Sequence, residues 1–150
     1  MDSHNKSSMD KKAVLNTLNE ILEMELAGAV RYTHYSFMVF GHSRIPIVSW
    51  LREQGSQSMT HAHEAGDLIA THHGNPSLKV GSLLTSHPES IDAMLREILD
   101  HENSGVALYE KLLSQVEGVH VALEEYARRM IHDEAKDIAE IEKMLRKTGG

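Results

Sequence analysis

Residues 18–32 read LNEILEMELAGAVRY, and residues 95–109 read LREILDHENSGVALY. Aligned without gaps, the two agree at seven of fifteen positions (Leu, Glu, Ile, Leu, Glu, Gly and Tyr), and Glu23 faces Asp100. Average residue usage would give about one agreement. Two amphipathic helices share apolar positions for trivial reasons, but that does not account for the matched Glu, Gly and Tyr. The pair reads as a duplicated helical unit, with Glu25 equivalent to Glu102, Gly28 to Gly105 and Tyr32 to Tyr109.

Working outward from this repeat, four stretches carry a helical period. The first runs from about Asp10, a suitable N-cap, to Phe40, with Leu15, Leu18, Leu22, Leu26, Ala29 and Phe37 on one face. The second runs from about Arg44 to His73, with Pro46 in its first turn, where proline is tolerated. It stops at Gly74-Asn-Pro. The third is expected to start in the capping box Ser86-His-Pro-Glu89 and to end near Val116. The fourth covers about Val121 to Arg146, with Leu123, Ala127, Met130, Ile138, Ile141 and Leu145 inward. Short turns join helices one to two and three to four, so each pair is an antiparallel hairpin. The segment from Gly74 to His87 is long enough to cross a bundle. Short, long, short is the connectivity of a four-helix bundle with one crossover. The expectation is an all-α four-helix bundle over residues 10–147, preceded by a disordered polar tail over residues 1–9.

Composition narrows the function. The chain has 150 residues, 41% hydrophobic and 25% charged, which suits one globular domain. A net charge of −7 with no basic patch argues against a nucleic-acid surface. No apolar run is long enough for a membrane span. There is no cysteine, which removes disulfides and thiolate metal sites and suits a reducing cytoplasm. Most of the eleven histidines fall in loops or off the inward stripes.

The inward stripes are not purely apolar. Glu25 follows Leu18, Ile21 and Leu22 at helical spacing, and Glu102 follows Leu95, Ile98 and Leu99. A buried carboxylate without a partner costs several kcal/mol. Mid-helix Gly28 and Gly105 each cost about 1 kcal/mol against alanine, so something needs the space they leave. In helix two, Ser58 and His61 are spaced i, i+3; in helix four, Glu134 and Asp137 hold the same relation. Ser58 lies 33 positions after Glu25, and Glu134 lies 32 after Glu102, so the second helices also match. The constellation is Glu25, His61, Glu102, Glu134 and Asp137, with Ser58 in a sixth place. One inward glutamate or histidine is ordinarily structural; five at matched depths in four helices call for a bound cation. Carboxylate plus imidazole suits iron, manganese or zinc. Tyr32 and Tyr109 lie two turns beyond the glutamates, where they serve either as core aromatics or, for Tyr32, as a redox group beside the centre.

With those residues in place, the sequence resembles the ferritin-like superfamily and, within it, the bacterioferritins. The resemblance spans about Leu15 to Leu145. Its most specific part is LNEILEMELAGAVRYTHY, followed by Ser-Met-Thr-His at 58–61 and by Gly74-Asn-Pro, where the family carries Glu-Met-x-His and a glycine-proline turn. It implies a di-iron centre within each subunit that oxidises Fe(II) and stores Fe(III), with Glu25, His61, Glu102 and Glu134 as ligands. It also implies self-association into a dimer or a larger shell. Three features depart from the pattern. Ser58 replaces a bridging glutamate and Asp137 replaces the second histidine. The family's fifth helix is missing, which favours a dimer or smaller shell over a 24-subunit cage. Gln54 or Gln57 is placed to compensate, whereas His101 and His132 are expected to point off the axis. The resemblance puts Met59 where bacterioferritins bind haem between two subunits; an interface methionine filling a gap is the other reading. The function implied is iron storage and homeostasis with Fe(II) oxidation. The alternative is a non-catalytic bundle with an incomplete metal site, binding haem at a dimer interface.

Overall fold

The computed structural model describes residues 8–84 and 86–147; most of the expected N-terminal tail, residues 1–7, lies outside them. Among the described residues there are four helices and no strand: α1 (Lys11–Phe37), α2 (Arg44–Thr71), α3 (Ile91–Val116) and α4 (Val121–Leu145). Helix α1 packs on α2, α3 on α4, and the hairpins meet through α1 and α3. Among the described residues no helix is long and apolar enough to cross a membrane.

Local chemistry sets the helix ends. The Asp10 side chain accepts from the Ala13 amide at 3.1 Å, a cap worth about 1 kcal/mol. His120 caps α4 through Nδ1, which accepts from the Leu123 amide at 3.2 Å. Helix α3 begins later than the Ser86–Glu89 box suggests. Its cap is Ser90, whose hydroxyl accepts from the Ala93 amide at 3.0 Å. Residues ahead of it are held elsewhere: Pro88 is buried, and His87 Nδ1 lies 2.8 Å from His34 Nε2 on α1. Helix α1 stops at Phe37, and Phe37 is 57% exposed rather than inward. The inward stripe there runs through Tyr32, Tyr35, Ser36 and Val39, one residue out of phase with the expected one.

The crossover runs alongside α1. The Asn19 side chain donates to the Asn75 carbonyl at 3.3 Å and accepts from the Ser77 amide at 2.7 Å. Farther along, the Gly81 amide donates to the Glu23 carbonyl at 2.9 Å, and Arg31 donates twice to the Ser82 carbonyl. A Cβ on Gly81 would stand 2.9 Å from that same Glu23 oxygen, so this close approach requires glycine.

The core has two apolar clusters. One gathers Val14, Leu18, Ile21, Ile69, Leu112 and Leu123, with Met9 of the expected tail packed against it. The other gathers Tyr35, Val48, Leu51, Met94, Ile98 and Ile141. Each fully buried aliphatic side chain contributes about 1.5–3 kcal/mol. Between the clusters lies a layer in which all four helices bury polar groups: Glu25, Ser58, Glu102 and Glu134.

Candidate metal centre

Each hairpin supplies one side of this layer. Glu25 and Glu102 come from the two copies of the repeat, on α1 and α3. Ser58 and His61 reach in from α2, and Glu134 and Asp137 from α4. Glu25, Glu102 and Glu134 retain only 3%, 9% and 4% of their exposure, and among the described residues no lysine or arginine lines the pocket they form.

The contacts are crosswise. The Tyr109 hydroxyl of α3 donates to Glu25 Oε1 on α1 at 3.1 Å, and the Tyr32 hydroxyl of α1 donates to Glu102 Oε1 on α3. The repeat thus becomes two symmetric bonds, each locking a buried carboxylate to the opposite hairpin. Burial and the nearby carboxylates raise both phenols well above the usual tyrosine range, which keeps them neutral donors. The other Glu25 oxygen accepts from the Ser58 hydroxyl at 2.9 Å and lies 3.5 Å from His61 Nδ1. That nitrogen is also 3.7 Å from Glu134 Oε1. Burial works against a charge on His61, but the hydrogen bond and charge of Glu25 outweigh it and raise its pKa.

Donor atoms of Glu25, His61 and Glu134 all lie within 4.8 Å of one another, a spacing at which one cation could bind all three. Glu134 shows the electrostatic cost of leaving them without one. Its Oε2 is buried with no hydrogen-bond partner among the described residues. Burial, then Glu102 beside it and the other surrounding carboxylates, push its pKa up to about 12. Asp137 is half-buried and pushed up to about 6, by burial and then by Glu102. Buried carboxylates, an imidazole and an orphaned oxygen fit a divalent cation; that charge would replace the proton Glu134 otherwise has to hold.

Of the residues expected from sequence, the structure brings Glu25, His61 and Glu134 together. Glu102 joins them through Glu134, and Asp137 lines the pocket without entering the triad. The Tyr32 hydroxyl touches the layer through Glu102. Met59 is 38% exposed and takes no part in this pocket. Gln54 and Gln57 line the pocket, and so does His101. The expectation that His101 points off the axis is therefore corrected, whereas His132 is exposed. Helical spacing puts His101 off the axis because it stands one residue before Glu102, about 100° round the helix. The legible signal was Gly28. A Cβ there would collide with the Ser58 hydroxyl and come 3.1 Å from His101 Nε2, so the missing side chain admits both. Burial lowers the His101 pKa and favours the neutral imidazole.

The family model of the ferritin-like domain matches residues 15–149. The chain belongs to this family. Among solved structures it is similar to a crystal structure of ferritin-like, diiron-carboxylate proteins from Bacillus anthracis strain Ames. The TM-score is 0.85 at 26% identity, covering 93% of this chain and 99% of that one. No curated protein matches the sequence. The ferritin-like fold accounts for the short–long–short connectivity and for a polar layer fed by all four helices.

Proposed function

We propose that this chain is a bacterioferritin-like iron-handling protein, taking up Fe(II) within its own bundle and oxidising it to Fe(III) for storage and iron homeostasis. The observation that carries the reading is Glu134, a buried carboxylate with an orphaned oxygen, beside Glu25 and His61 and with no lysine or arginine among the described residues that line its pocket. The similarity to a diiron-carboxylate protein supports iron over zinc or manganese. Fe(II) enters as substrate; two Fe(II) ions pass two electrons to dioxygen, which leaves as hydrogen peroxide after taking up two protons. The chain's own groups prepare for this. Tyr109 and Tyr32 hold Glu25 and Glu102 in place, His61 offers an imidazole nitrogen between Glu25 and Glu134, and Glu134 gives up its proton as the cation arrives.

The test is anaerobic Fe(II) titration of the metal-free protein, followed by air. Saturable uptake and fast oxidation are expected, both lost in Glu134→Ala. No saturable uptake, or an oxidation rate unchanged by the substitution, refutes the reading. Ser58 and the position of Asp137 outside the triad support a second reading, in which the bundle holds a single cation and does not oxidise iron. One Fe(II) per chain and oxidation no faster than in buffer would establish that instead. Self-association and haem belong to another face. Met59 borders an open groove of about 420 Å³ with Val30 and Phe37, which are 47% and 57% exposed. Haem absorbance that appears on reconstitution and disappears in Met59→Ala, together with a dimer mass by light scattering, would place haem there.

A further inference from the structure

The fifteen-residue repeat sets Met24 opposite His101, just as it sets Gly28 opposite Gly105. In three dimensions these pairs cross. A Cβ on Gly105 would stand 3.2 Å from both Sδ and Cε of Met24, and one on Gly28 would stand 3.1 Å from His101 Nε2. Each glycine is a notch that receives a side chain from the facing helix, so α1 and α3 close on each other through two reciprocal contacts. The geometry is duplicated but the chemistry is not: one notch holds a thioether, the other an imidazole.

The imidazole's notch is shared with Ser58, whose hydroxyl would also collide with a Cβ on Gly28. By the spacing of the repeat, Ser58 is the counterpart of Glu134. One half of the bundle therefore lacks the carboxylate that the other half has, and an imidazole stands beside the gap. His101 lines the same pocket as Glu25, Ser58 and Glu102, and it makes no hydrogen bond among the described residues. Its other side borders a cleft of about 500 Å³ between α1, α3 and the crossover, so it forms the wall between that cleft and the pocket. The orphaned oxygen of Glu134 belongs to this pocket as well.

We propose that His101 is a metal ligand, the second imidazole of the centre, standing on the side where Ser58 has replaced a carboxylate. The assignment rests on the metal reading above. With His101 included, the pocket offers four carboxylates (Glu25, Glu102, Glu134 and Asp137) and two imidazoles. Four negative charges balance two divalent cations, and the two neutral imidazoles complete the donor set without upsetting that balance.

Anaerobic titration of the metal-free protein with Co(II), followed by its visible absorption, tests this without any catalytic readout. The unaltered protein is expected to take up two Co(II) per chain. His101→Ala is expected to bind the second at least tenfold more weakly and to leave the first unchanged. His101→Gln, which fills the notch, is expected to do the same and provides the measurement where the alanine variant fails to fold. His132→Ala, on the exposed face, should match the unaltered protein. Titrations of His101→Gln and the unaltered protein that superimpose would overturn the assignment of His101 alone. Failure of the unaltered protein to take up any Co(II) would overturn the metal reading, and His101 with it.

Discussion

Replacing Glu134 by glutamine should stabilise the metal-free protein. In the folded chain Glu134 is pushed up to about 12, so it is protonated at pH 7, whereas the unfolded chain titrates near its ordinary 4.5. Folding at pH 7 must therefore return a proton to a group that would rather lose it. At about 1.4 kcal/mol per pH unit above 4.5, this costs about 3–4 kcal/mol at neutrality. The figure needs only a folded-state value well above 7. The sign follows from proton counting: the folded state binds more protons, so its stability falls as pH rises above 4.5. An amide keeps the shape of the protonated carboxyl, and it never ionises. Glu134→Gln should thus be about 3–4 kcal/mol more stable at pH 7, or roughly 7–14 °C in Tm, with the gain vanishing near pH 4.5. Asp137, pushed up to about 6, adds a pH slope of its own, but it does so in both proteins and cancels in the difference. The assay is urea unfolding of both chelator-treated proteins between pH 5 and 8. A difference that does not grow with pH, or a variant less stable at pH 7, would refute the reasoning. The same substitution should abolish the thermal stabilisation that Fe(II) gives the unaltered protein, so that stability is gained where binding is lost.

Tyr32→Phe removes the donor to Glu102 and should cost about 1–3 kcal/mol in urea unfolding, because a buried carboxylate loses its partner; a change under 0.5 kcal/mol would show that water replaces the hydroxyl. Gly28→Ala and Gly105→Ala should differ despite alanine's advantage of about 1 kcal/mol in a helix. At Gly28 the new methyl meets Ser58 and His101, whereas at Gly105 it meets only the flexible end of Met24. Gly28→Ala should therefore lower both Tm and Co(II) affinity, while Gly105→Ala should be near neutral; equal effects would show that the notches are not distinct. Gly81→Ala should destabilise by about 1–3 kcal/mol, since its methyl would press on the backbone oxygen of Glu23; a Tm at or above that of the unaltered protein would remove the claim that this approach needs glycine.

The sequence by itself determined the number of helices, their pairing and the crossover. Those follow from local chemistry: period, breakers such as Gly118, caps such as Asp10, and a linker too long for a turn. It also marked Glu25, His61, Glu102 and Glu134 as inward, because a charged residue within an apolar stripe is visible from spacing alone. Spacing was weakest where a helix drifts in phase or where a distant segment competes for its end. Phe37 fell on the wrong side by one residue, and α3 is capped at Ser90 and begins at Ile91 because the contact of His87 with His34 holds the preceding segment against α1. Only the tertiary structure decided which donors converge, that Tyr32 and Tyr109 reach across to the opposite hairpin, and that His101 belongs to the pocket at all. Those facts depend on how closely α1 and α3 approach, and that distance is set by two glycine notches on different helices, which no period within a single helix can encode.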